Sequence, residues 1–217
     1  MPEQVPPGRA GRLWLRGRLA SARRSMKLLD RKRQLVRRER DRLAELREET
    51  HRRWVVSCHE AETWGLRASI LGGAADVTLS SAAVAGRASV EVTWRNTMGV
   101  RHPDDPRCAL PTLAPADSAA ANSAVSPAAA SYRRALEAGV AYAVADTSFA
   151  LLDVELRATE RRLRAIERRR VPLLEEALRR LELHLDELER EERVVTRWAQ
   201  HRRQGKLGGP GSQAIVD

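Results

Sequence analysis

The chain has 217 residues, 42% apolar and 31% charged, and only 4% are aromatic, which argues against one large compact core. Its 39 Lys and Arg outnumber 29 Asp and Glu, for a net charge of +10. That excess points to an acidic partner: nucleic acid, an anionic membrane surface or an acidic protein cavity. Cys58 and Cys108 lie far apart and form no C-x-x-C pair, which fits a reducing compartment better than a disulfide framework. No apolar leader is present between Met1 and Arg12. The longest nearly uncharged run, Ala138 to Ala145, falls far short of the ~20 residues that span a bilayer. The expectation is a soluble, cytoplasmic protein.

Met1 to Gly11 is rich in Pro and Gly and reads as a frayed end. A helix begins near Gly11. Leu15, Leu19, Ala22, Met26, Leu29, Val36 and Leu43 fall at alternating steps of four and three, a narrow apolar seam of the kind that pairs helices into a coiled coil. Arg33 and Arg40 interrupt it and reach for water or for a carboxylate across the interface. The helix continues through Trp54, Cys58, Ala61 and Ala68 and weakens at Gly72-Gly73, since a helix-interior glycine costs ~1 kcal/mol. Fifty-five such residues would span roughly 80 Å at the helical rise, so a rod is expected.

From Gly72 to Ser131 the composition turns to Ala, Ser, Gly and Pro. Ser89 to Trp94 alternates, with Val90, Val92 and Trp94 on one side, and predicts a short strand. Asn96 to Gly99 supplies turn chemistry, and Val100 to His102 returns as a second strand. Pro103, Pro106, Pro111 and Pro115 then oppose regular structure, and Thr112 to Ser126 reads as a flexible loop.

Ser126-Pro127 carries helix-start chemistry, a cap followed by proline at the first helical position. Tyr132, Leu136, Val140, Ala143, Thr147 and Leu151 form an apolar stripe. A second seam follows through Leu152, Leu156, Thr159, Leu163, Ile166, Leu174, Leu178, Leu181, Leu185, Leu188 and Val195. The eleven-residue step from Leu163 to Leu174 is a stutter, and Pro172 inside it predicts a kink. Glycines from Gly205 onward end the helix and leave a loose tail.

The expected fold is all-α: a long antiparallel two-helix coiled coil formed by residues 11–71 and 127–203. A middle region, 72–126, holds the hairpin at 89–102, and a disordered tail occupies 204–217. Flush helix ends would put Trp14 near Trp198 and Leu29 near Leu185 or Leu181. Trp14, Trp54, Trp64, Trp94 and Trp198 are expected at helix–helix contacts.

Catalytic chemistry is not legible. Gly72 to Ser81 lacks the Gly-Lys-Ser/Thr ending of a phosphate-binding loop, and no G-x-S-x-G occurs. His51, Cys58 and Glu62 share a helix face, with His59 nearby, but match no metal-site pattern. No catalytic, cofactor-binding or metal-binding residues are assigned.

Pro7-Gly8-Arg9, Leu13, Leu15, Arg18-Leu19, Ala22, Arg24, Leu28-Leu29, Lys32-Arg33 and Leu35 resemble the first helix of the D subunit of V-type and archaeal-type rotary ATPases. Leu156, Thr159, Arg161-Arg162, Ala165, Val171-Pro172, Leu185 and Glu187 to Glu191 resemble its second helix. Val90-Glu91-Val92, Met98-Gly99-Val100 and Pro103 resemble its hairpin. Gly8, Ser25, Met26 and Asp30 depart from the family's usual Thr, Gly, His and Lys. The resemblance implies a non-catalytic central rotor shaft that links ATP hydrolysis or synthesis in the head to proton or sodium movement through a membrane ring. It implies as partners the catalytic and nucleotide-binding head subunits, the small F subunit of the rotor and a funnel-shaped subunit on the ring. It also implies a place at the inner face of the membrane. Arg23, Arg24, Arg161, Arg162, Val90, Val92 and Trp94 are the candidate partner contacts. The alternative is an Arg-rich coiled coil that binds nucleic acid or acts as a scaffold. Against it, the arginines share their helices with Glu and Asp.

Overall fold

A computed structural model describes residues 5–82, 86–111 and 122–207. In chain order they form α1 (Gly8–Ala82), β1 (Ser89–Thr97), β2 (Val100–Ala109), α2 (Val125–Ala165), a π-helical turn (Ile166–Arg170) and α3 (Val171–Leu207). The chain divides into two units, Met1–Leu28 with Arg162–Asp217, and Leu29–Arg161. Most of the expected loop at Thr112–Ser126 lies outside the described residues. So does the expected tail from residue 208 on, while α3 itself runs to Leu207.

In the first unit the start of α1 and the C-terminal helical segment run in opposite directions. Leu15, Leu19, Ala22 and Leu174 form a buried cluster, with Trp14, Ile166, Leu178 and Leu181 packed against it. Three ion pairs cross between the helices: Arg9–Glu189 at 3.1 Å, Arg16–Glu182 at 2.7 Å and Arg23–Glu175 at 2.8 Å. The partners step by heptads along both helices, so paired residue numbers always add to 198. Flush ends would give 212, which places Trp14 against Trp198. The observed alignment is thus two heptads away, and Leu185 belongs opposite the first turns of α1 rather than Leu29. A heptad seam tolerates slips of seven, and the charges choose among them. One consequence corrects the seam at its far end. Leu188 is 41% exposed at the first turn of α1, and Val195 and Trp198, which lie beyond the start of α1 at Gly8, are each 65% exposed.

At Pro172 the sequence predicts a kink. The structure places a π-helical turn immediately before it, with the Val171 N–H donating to the Ile166 carbonyl. The wider turn lets the helix pass a residue that has no N–H of its own.

In the second unit Val36, Leu43, Leu152 and Leu156 make one buried cluster, joined by Leu46, Val100 and Phe149. Ala68, Ala124 and Ala128 make another, beside Trp64 and Val125. Over the first part of α2, up to Ser148, the buried face consists of small residues: Ala128, Ser131, Ala135, Ala145 and Ser148. Tyr132, Leu136 and Leu151, read from sequence as the apolar stripe, are exposed and sit one residue round from it. Small residues let the helix backbones approach, and the larger neighbours are left at the flank. Where a gap remains, aromatic rings fill it. Trp54 stacks on Tyr142 at 5.3 Å and 12°, and His51 lies 4.9 Å from Tyr142. Gly139 makes room for the Trp54 indole, since a Cβ there would stand 3.0 Å from Nε1.

Helix α2 starts before Ser126. Asn122 Oδ1 accepts the Ala124 N–H at 3.1 Å, and Asn122 Nδ2 donates to the Ala68 carbonyl at 3.1 Å, so Asn122 both turns the chain and ties it to α1. Pro127 falls in the first turn, where no donor is needed. The glycine pair breaks α1 as expected, at Gly73 (φ 74°, ψ 168°), with a helical continuation to Ala82. The helical run from Val125 contains a stretch long and apolar enough to cross a membrane by length and composition alone. Asp146 in α2 receives Arg47 at 2.6 Å.

The hairpin is longer than expected. Pro103 and Pro106 lie inside β2, opposite Trp94 and Val92, instead of ending it. In a two-stranded sheet each strand has an outer edge, where a missing N–H costs no ladder bond. Asp105 (φ 42°) is the extra residue at the register shift, and Met98 (φ 53°) and Gly99 (φ 87°) form the two-residue turn with both φ positive.

Leu152→Ala should lower the unfolding free energy by ~2–4 kcal/mol, read from urea denaturation followed by circular dichroism, because Leu152 is wholly buried. Val195→Ala should stay within ~0.5 kcal/mol. For the alignment, a chain with Cys58 and Cys108 replaced by Ser should crosslink through a short bis-maleimide as R16C/E182C and not as W14C/W198C. The reverse result would restore flush ends.

Candidate functional site

The described residues present two surfaces. Among the described residues no group of three or more His, Cys, Asp or Glu side chains is placed to hold a metal ion. His51, considered as a metal ligand with Cys58 and Glu62, instead packs against Tyr142 and Trp54.

The first surface is the outer face of the hairpin. Val90 is 46% and Trp94 58% exposed, Val92 is half-buried, and the Arg101 guanidinium lies over the Trp94 ring at 5.7 Å. Such a face is held out by a polar anchor beneath it. His102 is fully buried and its Nε2 lies 3.1 Å from Thr97 Oγ1. Ser148 of α2 donates to the Pro103 carbonyl, and Val100 enters the Val36 cluster. Arg95 pairs with Asp104 at 2.6 Å. On α1, Arg42 donates to Glu39 at 2.7 Å. That hydrogen bond holds the Glu39 carboxyl below its ordinary pKa against the opposing push of burial, with Arg42, Arg95 and His102 adding to it electrostatically. The same bond raises Arg42 above its ordinary value.

The second surface is a groove of about 830 Å³ in the second unit, lined by Leu66, Val77, Leu110, Pro111, Tyr132 and Leu136 among others. Arg133 closes one edge by donating to the Pro111 carbonyl. Sequence reading does not reveal this groove, because its walls come from α1, the hairpin end and α2. The one signal in the sequence is the run of large apolar residues beside the small ones on α2.

The candidate arginines separate. Arg23 is engaged by Glu175 and Arg24 donates to Ser21 Oγ at 3.2 Å, while Arg161 and Arg162 are exposed. Of the five tryptophans, Trp14, Trp54 and Trp64 pack against neighbouring residues as expected, whereas Trp94 and Trp198 face outward.

A family model for the ATP synthase D subunit matches residues 13–201. No curated protein matches the chain.

Glu39 gives a pH test of the hairpin anchor. Its folded pKa is depressed, so the stability it contributes is complete above the ordinary Glu value of ~4.3 and is lost as pH falls through the lower folded value. Glu39→Gln should therefore flatten the acid limb of stability against pH below that point and leave hydrophobic burial unchanged. An unaltered acid limb would show that the Arg42 bond is not made in solution.

Proposed function

The chain belongs to the ATP synthase D subunit family, and we propose that it serves as the central rotor shaft of a V/A-type ATPase or ATP synthase. The observation that carries this reading is the family match across both terminal helices and the hairpin between them. The opposed helices of the first unit, locked by heptad-spaced ion pairs, support a coiled-coil shaft that resists sliding along its own seam. A shaft of this kind hydrolyses nothing. It holds the catalytic interfaces of the surrounding head in different states and carries torque between them and the ion-translocating ring of a membrane-associated complex.

In this reading the termini enter the head of catalytic and nucleotide-binding subunits. The hairpin, the groove and the middle of the chain meet the small F subunit of the rotor and the funnel-shaped subunit on the ring. The exposed apolar hairpin face and the groove support these contacts, since both are surfaces that water covers at a cost in the free chain.

Co-purification is the decisive experiment. The tagged chain should draw down a stoichiometric set of head subunits, and the isolated chain should show no ATP hydrolysis. Recovery of nucleic acid in place of head subunits would reverse the reading. Small-angle scattering should return a radius of gyration well above the ~17 Å expected of a globule of this length.

A further inference from the structure

The two strands of the hairpin are not equivalent. Neighbouring side chains of a strand point to opposite faces, yet His102 and Pro103 of β2 are both buried. The helix pair of the second unit therefore receives β2 edge-on, and Ser148 of α2 donates to the Pro103 carbonyl from that side. Strand β1 lies on the far side of β2, and all its residues but Val92 and Thr97 are exposed.

The turn fixes which backbone groups of β1 are free. With Met98 and Gly99 both at positive φ, Thr97 and Val100 become a close pair that exchanges both backbone hydrogen bonds. Counting back along β1, Arg95, Thr93 and Glu91 turn N–H and C=O toward β2, while Asn96, Trp94, Val92 and Val90 turn theirs outward. Strand β2 fits this alternation. Pro103 and Pro106 stand opposite Trp94 and Val92, where an N–H would point out of the hairpin. The outer edge of β2 is thus short of donors and covered by α2, whereas β1 contains no proline and keeps every outward donor. Among the described residues no backbone hydrogen bond from outside the sheet reaches β1. Its charges are answered within the hairpin, Arg95 by Asp104 at 2.6 Å and Glu91 by its cross-strand neighbour Arg107. A free edge of this kind is a template for another strand.

We propose that β1 takes a third strand: an extended segment of a neighbouring subunit, apolar at every second position, pairs along Val90, Val92 and Trp94, and this rests on the shaft reading above. The edge offers a row of N–H and C=O groups two residues apart, and only an extended backbone matches it. A helix has satisfied its own backbone groups internally and could use the apolar side chains alone. The residues with outward backbone groups also carry the exposed side chains of Val90 and Trp94, so alternate side chains of the added strand meet an apolar face. The groove continues the site. Ala88, one residue before β1, lines it together with Leu66, Leu110 and Leu136, and a segment paired as far as Val90 ends at its mouth.

The test is amide hydrogen exchange read residue by residue, for the full chain alone and within the purified complex. In the free chain Thr93 and Arg95 should exchange slowly and Val92 and Trp94 fast. In the complex Val92 and Trp94 should slow by about tenfold or more, and unchanged exchange there would overturn the proposal. Two variants separate edge from face. Val92→Pro deletes an outward N–H and leaves the bonds between β1 and β2 in place. It should weaken retention of the neighbouring subunits by about tenfold, whereas Val92→Thr keeps the N–H and should cost about threefold or less. Equal losses would mean that side chains alone bind, and would reject strand addition. Circular dichroism checks folding, and if Val92→Pro disrupts the hairpin the exchange comparison on the unaltered chain still decides. Slow Val92 and Trp94 amides in the isolated chain, slower still at higher concentration, would assign the edge to a second copy and reject the neighbour. A chain that recovers no head subunits refutes the shaft reading. Strand addition is then read from an excess of a synthetic peptide of alternating Thr and Val, which should slow the same two amides in the isolated chain; amides that stay fast would reject it.

Discussion

Two narrow apolar seams determine that helices pair but not where. Leucines repeating by sevens fit equally well after a slip of seven, so the first unit depends on something else for its alignment. Arg9, Arg16 and Arg23 supply it by meeting Glu189, Glu182 and Glu175. A slip of one heptad in either direction keeps two of these pairs and sets the third arginine against Thr196 or Arg168. A slip of two, to flush ends, keeps one pair and puts Arg9 against Arg203. Exposed ion pairs contribute little each to stability, commonly ~0–1 kcal/mol. Their effect here is on the choice between near-equal alignments, where small differences decide.

The second unit solves the same problem with size. Along the first part of α2, Ala, Ser and Gly line the contact with α1, and alignment there follows from which ring meets which gap, as Trp54 does at Gly139. The hairpin is then fastened to that pair by Ser148 of α2, which donates to the Pro103 carbonyl, and by Val100, which packs on the Val36 cluster.

Much of this is legible in the sequence. Period and composition point to two long helices, a break at the glycine pair and a hairpin between them. What fails has physical causes. Hydropathy favours large side chains, so Tyr132 and Leu136 look more like core than Ser131 and Ala135, though close packing needs the small ones inside. Prolines argue against strands, but that rule weakens where every strand is an edge. The start of α2 escapes a local reading because Asn122 acts through Ala68, a partner distant in the sequence. The pairing of charges at heptad spacing is present in the sequence and is decisive only when both helices are compared at once. Of the candidate contacts, the exposed face around Trp94 follows from strand alternation, whereas the groove needs tertiary structure to exist at all.

The two units differ in how their residues are drawn from the chain. Leu29–Arg161 is one continuous piece, whereas the first unit joins the two ends. Arg9 cannot find Glu189 until Glu189 itself has left the ribosome. Closing so long a loop from an unfolded chain would cost about 5 kcal/mol in chain entropy. If the continuous piece folds first, it removes most of that loop. The order of synthesis and the cost of closure then act in the same direction: the middle forms early, and the ends, with their charge ladder, zip together last.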